Sequence, residues 1–183
     1  EQKKPFIQQY NKIKPQQEAT EPQSDQKPFY IPNLIPKSRV EYRNQDVDIL
    51  DVQITTLEGE VVNALVTGQE YVFEYMVRFN IPAENIGFGM MIKTESGSNL
   101  SGSSSRKFDM IIGSVAQYQS FKAKWRFQCN LLSGTYYVNA GVTTIKGTEG
   151  VFLNRVVDAM AFRVLFPENN KYSGLVNLYQ DLD

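Results

Sequence analysis

The run Phe121-Lys122-Ala123-Lys124-Trp125-Arg126-Phe127-Gln128-Cys129 decides the fold class. Its odd positions are Phe, Ala, Trp, Phe and Cys, and its even positions are Lys122, Lys124, Arg126 and Gln128. Successive side chains of a strand point to opposite faces, so this alternation describes a strand with one buried face and one wet face. Outward from it, Tyr71 to Phe79 keeps its aromatics and Val77 on odd positions. Segments 47–56, 86–94, 135–143 and 156–165 are rich in β-branched and aromatic residues, which suit a pleated, half-buried surface. The first of these changes phase at Ile49-Leu50, which predicts a bulge. Turn signals at Glu58-Gly59, Thr67-Gly68, Ser96-Gly97 and Ser133-Gly134 separate the runs. No stretch sustains a helical apolar stripe. The pattern predicts an antiparallel sandwich or barrel without crossover helices. Ser96 to Arg106 is rich in Ser and Gly and reads as a mobile loop.

A length of 183 residues fits one domain at roughly 150 residues per domain. Residues 1–44 differ in composition from the rest. They hold six of the eight prolines and none of the twelve glycines, so neither a long helix nor a central strand fits there. This stretch reads as an extended linker or arm, with the sandwich over 45–183. Phe29-Tyr30-Ile31 and Leu34-Ile35 are apolar enough to anchor it.

Composition removes whole classes of function. The chain has no histidine, which excludes Ser-His-Asp and Cys-His catalysis and histidine-ligated metal. Lys+Arg is 19 and Asp+Glu is 20, a net charge of −1, so no strong positive field draws nucleic acid. The single cysteine, Cys129, permits no internal disulfide. No apolar run approaches the ~18 residues of a membrane span. Gly87-Phe88-Gly89 runs on into Met90-Met91 as strand and cannot open a helix onto phosphate. Asp46, Asp48 and Asp51 lack the glycine and the terminal glutamate of a calcium loop. We expect no catalytic residues, no metal and no cofactor.

Parity then selects candidate residues. Trp125 shares the face of Phe121, Phe127 and Cys129, which makes it a core residue. If Tyr136, Val138, Ala140 and Val142 are core, then Tyr137, Asn139, Gly141 and Thr143 point out. By the same rule Lys93 and Arg163 point out, together with Met91, Ala159 and Ala161. If segments 86–94, 135–143 and 156–165 pair in one sheet, that face offers a tyrosine, an amide, a hydroxyl and two cations over a low floor, as a sugar chain needs. The other reading is an ordinary solvated sheet face. At the end of the chain, Pro167 interrupts pairing, and Tyr172, Leu175, Val176 and Leu178 form an apolar tail. Such a tail can dock on its own sheet or exchange with a twofold partner.

Three ordered stretches carry a resemblance. They are Ile49-Leu50-Asp51-Val52 with Leu57-Glu58-Gly59 and Val66-Thr67-Gly68-Gln69-Glu70; Ile86-Gly87-Phe88-Gly89-Met90-Met91-Ile92-Lys93-Thr94 with Leu100-Ser101-Gly102; and Leu131-Leu132-Ser133-Gly134-Thr135-Tyr136-Tyr137-Val138-Asn139-Ala140-Gly141 with Phe162-Arg163-Val164 and Gly174-Leu175-Val176. Together they resemble the C-terminal domain of Wzt, the nucleotide-binding subunit of ABC transporters that export O-antigen polysaccharide. The resemblance implies an all-β, immunoglobulin-like antiparallel β-sandwich with an extended N-terminal arm. It implies a non-catalytic module that binds O-antigen polysaccharide, often by its modified non-reducing end, with no catalytic motif to carry over. It further implies a homodimer, an ATPase domain upstream that joins a transmembrane transporter subunit, and a cytoplasmic location at the inner membrane. The start at Glu1 rather than Met agrees with a longer parent protein. Lys93, Tyr137, Asn139, Thr143 and Arg163 are the expected glycan contacts, and Tyr172, Leu175, Val176 and Leu178 the expected dimer contacts. The alternative is a structural or oligomerisation sandwich with no ligand of its own.

Overall fold

The computed structural model describes residues 26–42, 46–147, 149–165 and 171–180. The described residues form an all-β, immunoglobulin-like sandwich of two sheets with no α-helix. In chain order the strands are β1 (Val40–Tyr42), β2 (Val47–Thr55), β3 (Val61–Val62), β4 (Ala64–Leu65), β5 (Glu70–Phe79) and β6 (Ala83–Thr94). They continue with β7 (Asn99–Ser104), β8 (Ile112–Val115), β9 (Ser120–Gln128), β10 (Gly134–Lys146) and β11 (Glu149–Val164). The longer sheet runs β1-β11-β10-β6-β7, with β4 beside β11 and β8 beside β6. The shorter one runs β3-β2-β5-β9. Pairing is antiparallel except between β4 and β11.

The period-two runs become strands with the expected inner faces. Phe73, Tyr75, Val77 and Phe79 of β5 meet Tyr136, Val138, Ala140 and Val142 of β10 in one core. The phase change in β2 is a bulge: Leu50 pairs with Met76 but Gln53 with Glu74, and Asp51 takes φ 50°. Val47 and Ile49 before the bulge and Ile54 after it are all buried. The extra residue therefore restores the inward phase.

One expectation needs correction. Ser96 to Arg106 is not a mobile loop: Asn99–Ser104 pairs with β6 as the edge strand β7, and Ser105–Phe108 forms a short 3-10 helix. Small polar residues have little intrinsic strand preference, but the unpaired backbone of β6 offers them a ladder. The described part of the arm is fastened to the body. Its strand β1 joins the long sheet against β11. Upstream, the Phe29 N–H donates to Ala64 O (3.2 Å), and Phe29 O accepts from the Ala64 N–H (2.9 Å). The buried Asn63 amide works like a strand neighbour: its Oδ1 accepts from the Ile31 N–H (2.6 Å) and its Nδ2 donates to Ile31 O (3.0 Å). Ser38 Oγ donates to Asp158 Oδ2 (2.6 Å).

Two side chains join the two sheets through polar bonds: Asn154 of β11, whose Nδ2 donates to Val47 O of β2 (2.7 Å), and Tyr75. Tyr75 leaves β5, crosses the core, and its hydroxyl donates to Gly141 O (2.7 Å), with Gly89 O also in reach (3.0 Å). It accepts from the Gly89 N–H (3.3 Å). Burial pushes this phenol's pKa well above its ordinary value, so it stays a neutral donor. Tyr75→Phe removes the hydroxyl that bonds Gly141 O across the core. We expect a loss of about 1–3 kcal/mol in denaturant unfolding, with the fold retained.

Candidate functional site

Segments 86–94, 135–143 and 156–165 are neighbours in the long sheet, as β6, β10 and β11. Lys93, Tyr137 and Ala161 lie in register across it. This outer face is nevertheless not open. Tyr137 is 9% exposed and Asn139 5%. Ala159 and Ala161, also expected outside, are buried, and Ala159 joins the core cluster.

The cause lies in a second bulge. Val138 pairs with Met160 but Ala140 with Val156, so β11 carries two extra residues there. Asp158 takes φ 52° at this point, and its N–H donates to Asn139 Oδ1 (2.8 Å). The Asn139 amide thus replaces a lost ladder acceptor. Lys93 Nζ lies 2.6 Å from Asp158 Oδ1 as a half-buried ion pair, and Ser38 closes the group from the arm. The Tyr137 hydroxyl donates to Glu95 Oε1 (3.3 Å). Burial raises its pKa, and the Glu95 carboxylate raises it further. Thr143 Oγ1 accepts from Arg106 Nε (3.2 Å) and donates to Gly87 O (3.2 Å). Of the five expected contacts, Arg163 alone is exposed. Asn139 is bonded into the bulge and Tyr137 is buried with its hydroxyl on Glu95, so neither is an open platform. Parity gave their side of the sheet correctly but could not show that it was covered.

The concave feature lies elsewhere. The sandwich gapes along one flank, between β9 at the edge of the short sheet and β7 at the edge of the long one. A cleft of about 670 Å³ opens there. One wall is Phe121, Ala123, Trp125 and Phe127 of β9. The other is Phe88, Met90 and Ile92 of β6. Trp125 faces inward as expected and stacks on Tyr75 (centroids 5.4 Å, planes 24° apart). It is half-buried because its other side meets the cleft. Ser101 and Ser103 pair with Ile92 and Met90, so their hydroxyls share the inward face and line the cleft. Residues directly opposite on paired strands point to one side. Reading the Ser/Gly stretch as a loop hid these two; their alternation around Gly102 was the signal available.

The rim of the cleft is β9 itself, whose cations Lys122, Lys124 and Arg126 also line it. Lys122 and Lys124 each reach Glu74 (3.2 Å), and Arg126 pairs with Glu70. No carboxylate lines the cleft among the described residues. The apolar walls, hydroxyl row and exposed strand edge suit a ligand with apolar faces and many hydroxyls. No group of acidic residues and cysteine among the described residues could hold a metal ion.

The tail bonds to its own chain. Leu132 N–H donates to Leu175 O (2.9 Å), Asn177 N–H to Asn130 O (2.7 Å), and Val176 bridges Leu131. Leu175, Val176 and Leu178 stay exposed, while Tyr172 is half-buried. The hinge at Pro167 lies outside the described residues.

Glu74 beneath the rim gives a pH signature. Burial pushes its carboxyl up, but hydrogen bonds from Gln53, Lys122 and Lys124 together outweigh this, and its pKa falls below the ordinary value. A depressed folded pKa gives stability that is present above the unfolded pKa and lost as pH falls through the folded one. Glu74→Gln should therefore be less stable than the parent at neutral pH. Urea titrations should show the deficit shrinking once the pH drops below about 4, where carboxylates protonate.

The family described as the Wzt C-terminal domain matches residues 38–178. A crystal structure of the C-terminal domain of Wzt is 21% identical, covers 86% of this chain and 92% of its own, and superposes with a TM-score of 0.70. The CARDB domain of PF1109 from Pyrococcus furiosus is 12% identical, covers 66% of this chain and 96% of its own, and reaches a TM-score of only 0.39. No curated protein sequence matches the chain.

Proposed function

Because the chain belongs to the Wzt C-terminal domain family, we propose that it is a non-catalytic glycan-binding module serving export of O-antigen polysaccharide. The observation that carries this reading is the aromatic cleft with its hydroxyl row. Sugar rings have C–H faces that stack on aromatic side chains and hydroxyls that need donors and acceptors at the rim. Trp125, Phe121 and Phe127 supply the first, and Ser101 and Ser103 the second. The edge of β9, which no strand pairs among the described residues, adds backbone donors and acceptors beside them.

The binding site we favour is therefore the cleft. The face of Lys93, Tyr137, Asn139, Thr143 and Arg163 ranks second, because only Arg163 is exposed there. The family reading also supports a place at the cytoplasmic side of the inner membrane, where an ATPase domain would couple this module to a transmembrane subunit. No helix among the described residues is long and apolar enough to cross a membrane itself.

Titration with lipid-free O-polysaccharide tests the reading. Saturation-transfer NMR should give contacts to the aromatic resonances of Trp125, and prolonged incubation should release no reducing ends. Trp125→Leu keeps an apolar wall and should weaken binding by about 1–3 kcal/mol, the scale of an aromatic hot spot. If Trp125→Leu binds normally while Tyr137→Ala abolishes binding without unfolding, the outer face is the site. Turnover that survives stringent purification would defeat the non-catalytic reading.

Assembly is the second part of the proposal. Exposed Leu175, Val176 and Leu178 ride on a segment held to its neighbours mainly through backbone bonds. Those bonds can form within a chain or between two chains that exchange tails. We propose a twofold dimer built on this segment. Removing residues 171–183 should give monomers by light scattering. A truncated chain that stays dimeric and soluble would move the contact to the arm at 28–36.

A further inference from the structure

Strand β7 runs into a turn that is bonded more tightly than its composition suggests. Ser104 Oγ accepts from the Arg106 N–H (3.4 Å), and Ser105 Oγ accepts from the Phe88 N–H (2.9 Å). Asp109, at φ 56°, returns its N–H to Arg106 O (3.2 Å), and the Met110 N–H donates to Ser105 O (3.0 Å). The Arg106 side chain then lies flat across β6. It passes over Gly87, where a Cβ would come within 2.7 Å of its Nε and 2.8 Å of its Cγ. Its guanidinium donates to Thr143 Oγ1 (3.2 Å), to Thr143 O (3.1 Å) and to Asn85 O. The turn is therefore anchored through β6 to β10, two strands in from the edge.

This anchored turn holds out three large apolar side chains. Phe108 is 65% exposed, Met110 70% and Ile111 46%, and all three line the cleft. Exposed apolar groups on a mobile tip would need no explanation. On a turn fixed by seven named hydrogen bonds they form a preset surface. Binding to a preset surface avoids the entropy of ordering a loop.

We infer that the turn Ser105–Ile111 is a preformed lip that takes the apolar face of an uncharged sugar unit in the cleft, with Arg106 as its positioning residue. The inference rests on the glycan reading of the cleft. The uncharged class follows from the walls. No carboxylate lines the cleft among the described residues, and Lys122, Lys124 and Arg126 are already engaged by Glu74 and Glu70. An anionic sugar would have to compete with Glu74 and Glu70 for these cations, and a cationic one would meet no carboxylate. Thr143, which the sequence offers as a direct contact, acts on the site from the opposite face of the sheet by holding Arg106.

Trp125 is the only tryptophan and lines the same cleft, so tryptophan fluorescence reports on the cleft. Two probes suffice: a neutral 6-deoxyhexose trisaccharide and a hexuronate trisaccharide, each titrated against the full chain. The parent should bind the first and not the second. Phe108→Ala truncates an exposed side chain, so Tm should hold while affinity for the neutral probe falls about tenfold, the scale of one aromatic contact. Arg106→Gln and Gly87→Ala should each produce a similar loss. In ligand-free protein both should also raise acrylamide quenching of Trp125, which Phe108→Ala with its turn intact raises less. Normal affinity in Phe108→Ala, unchanged quenching in Arg106→Gln, or equal binding of the hexuronate would overturn the inference. If the parent binds neither probe nor lipid-free O-polysaccharide, the glycan reading falls and takes the ligand class with it. The quenching series would still decide whether Arg106 sets the lip.

Discussion

The hydroxyl of Tyr75 is a polar link across the middle of the sandwich, and much else depends on where it ends. Sheets packed only through apolar side chains can slide by small amounts, because hydrophobic contact has no direction. A hydrogen bond from β5 to the carbonyls of Gly141 and Gly89 has direction and length. It fixes the two sheets at one point, next to the stacked ring of Trp125. The cleft opens immediately beyond that point. Its width is therefore set by a bond, and its aromatic floor is an extension of the core cluster.

The same logic separates the two faces of the long sheet. Inside, Phe88, Met90 and Ile92 complete the core where the short sheet covers them and line a cleft where it stops. Outside, the bulge at Asp158 collects Lys93, Asn139 and Ser38 into one buried polar group. A buried carboxylate needs both charge and hydrogen-bond partners, and here they come from three separate segments. The arm is therefore part of the electrostatic balance of the sheet.

How much of this was legible in the sequence follows from the physics of the strand. Alternation gave β5, β9 and β10 with the correct inner faces, and the slip at Ile49-Leu50 gave a real bulge. Alternation reports only which side of a sheet a residue takes. Whether that side is covered depends on the width of the partner sheet and the path of the arm, which are tertiary facts. Trp125 was correctly placed inward, yet inward at an edge strand means the wall of a cleft. Tyr137 and Asn139 were correctly placed outward, yet outward beside a bulge means buried. Strand β7 escaped notice because Ser and Gly carry no propensity signal; its pairing comes from the free edge of β6. The resemblance supplied the family, and the geometry had to supply the site.

The way the arm is fastened has a mechanical consequence. From Phe29 to Tyr42 it runs past β11 and is held at Ala64, Asn63, Asp158 and β11 in turn. Tension along the arm's own axis loads these attachments together, in shear, and they share the force. Tension at right angles to the sheet loads them one at a time from the Phe29 end, like a zipper. The domain is therefore stiff toward a pull in one direction and compliant toward another, and a force reaching residue 26 is sorted by its direction before it reaches the sheet.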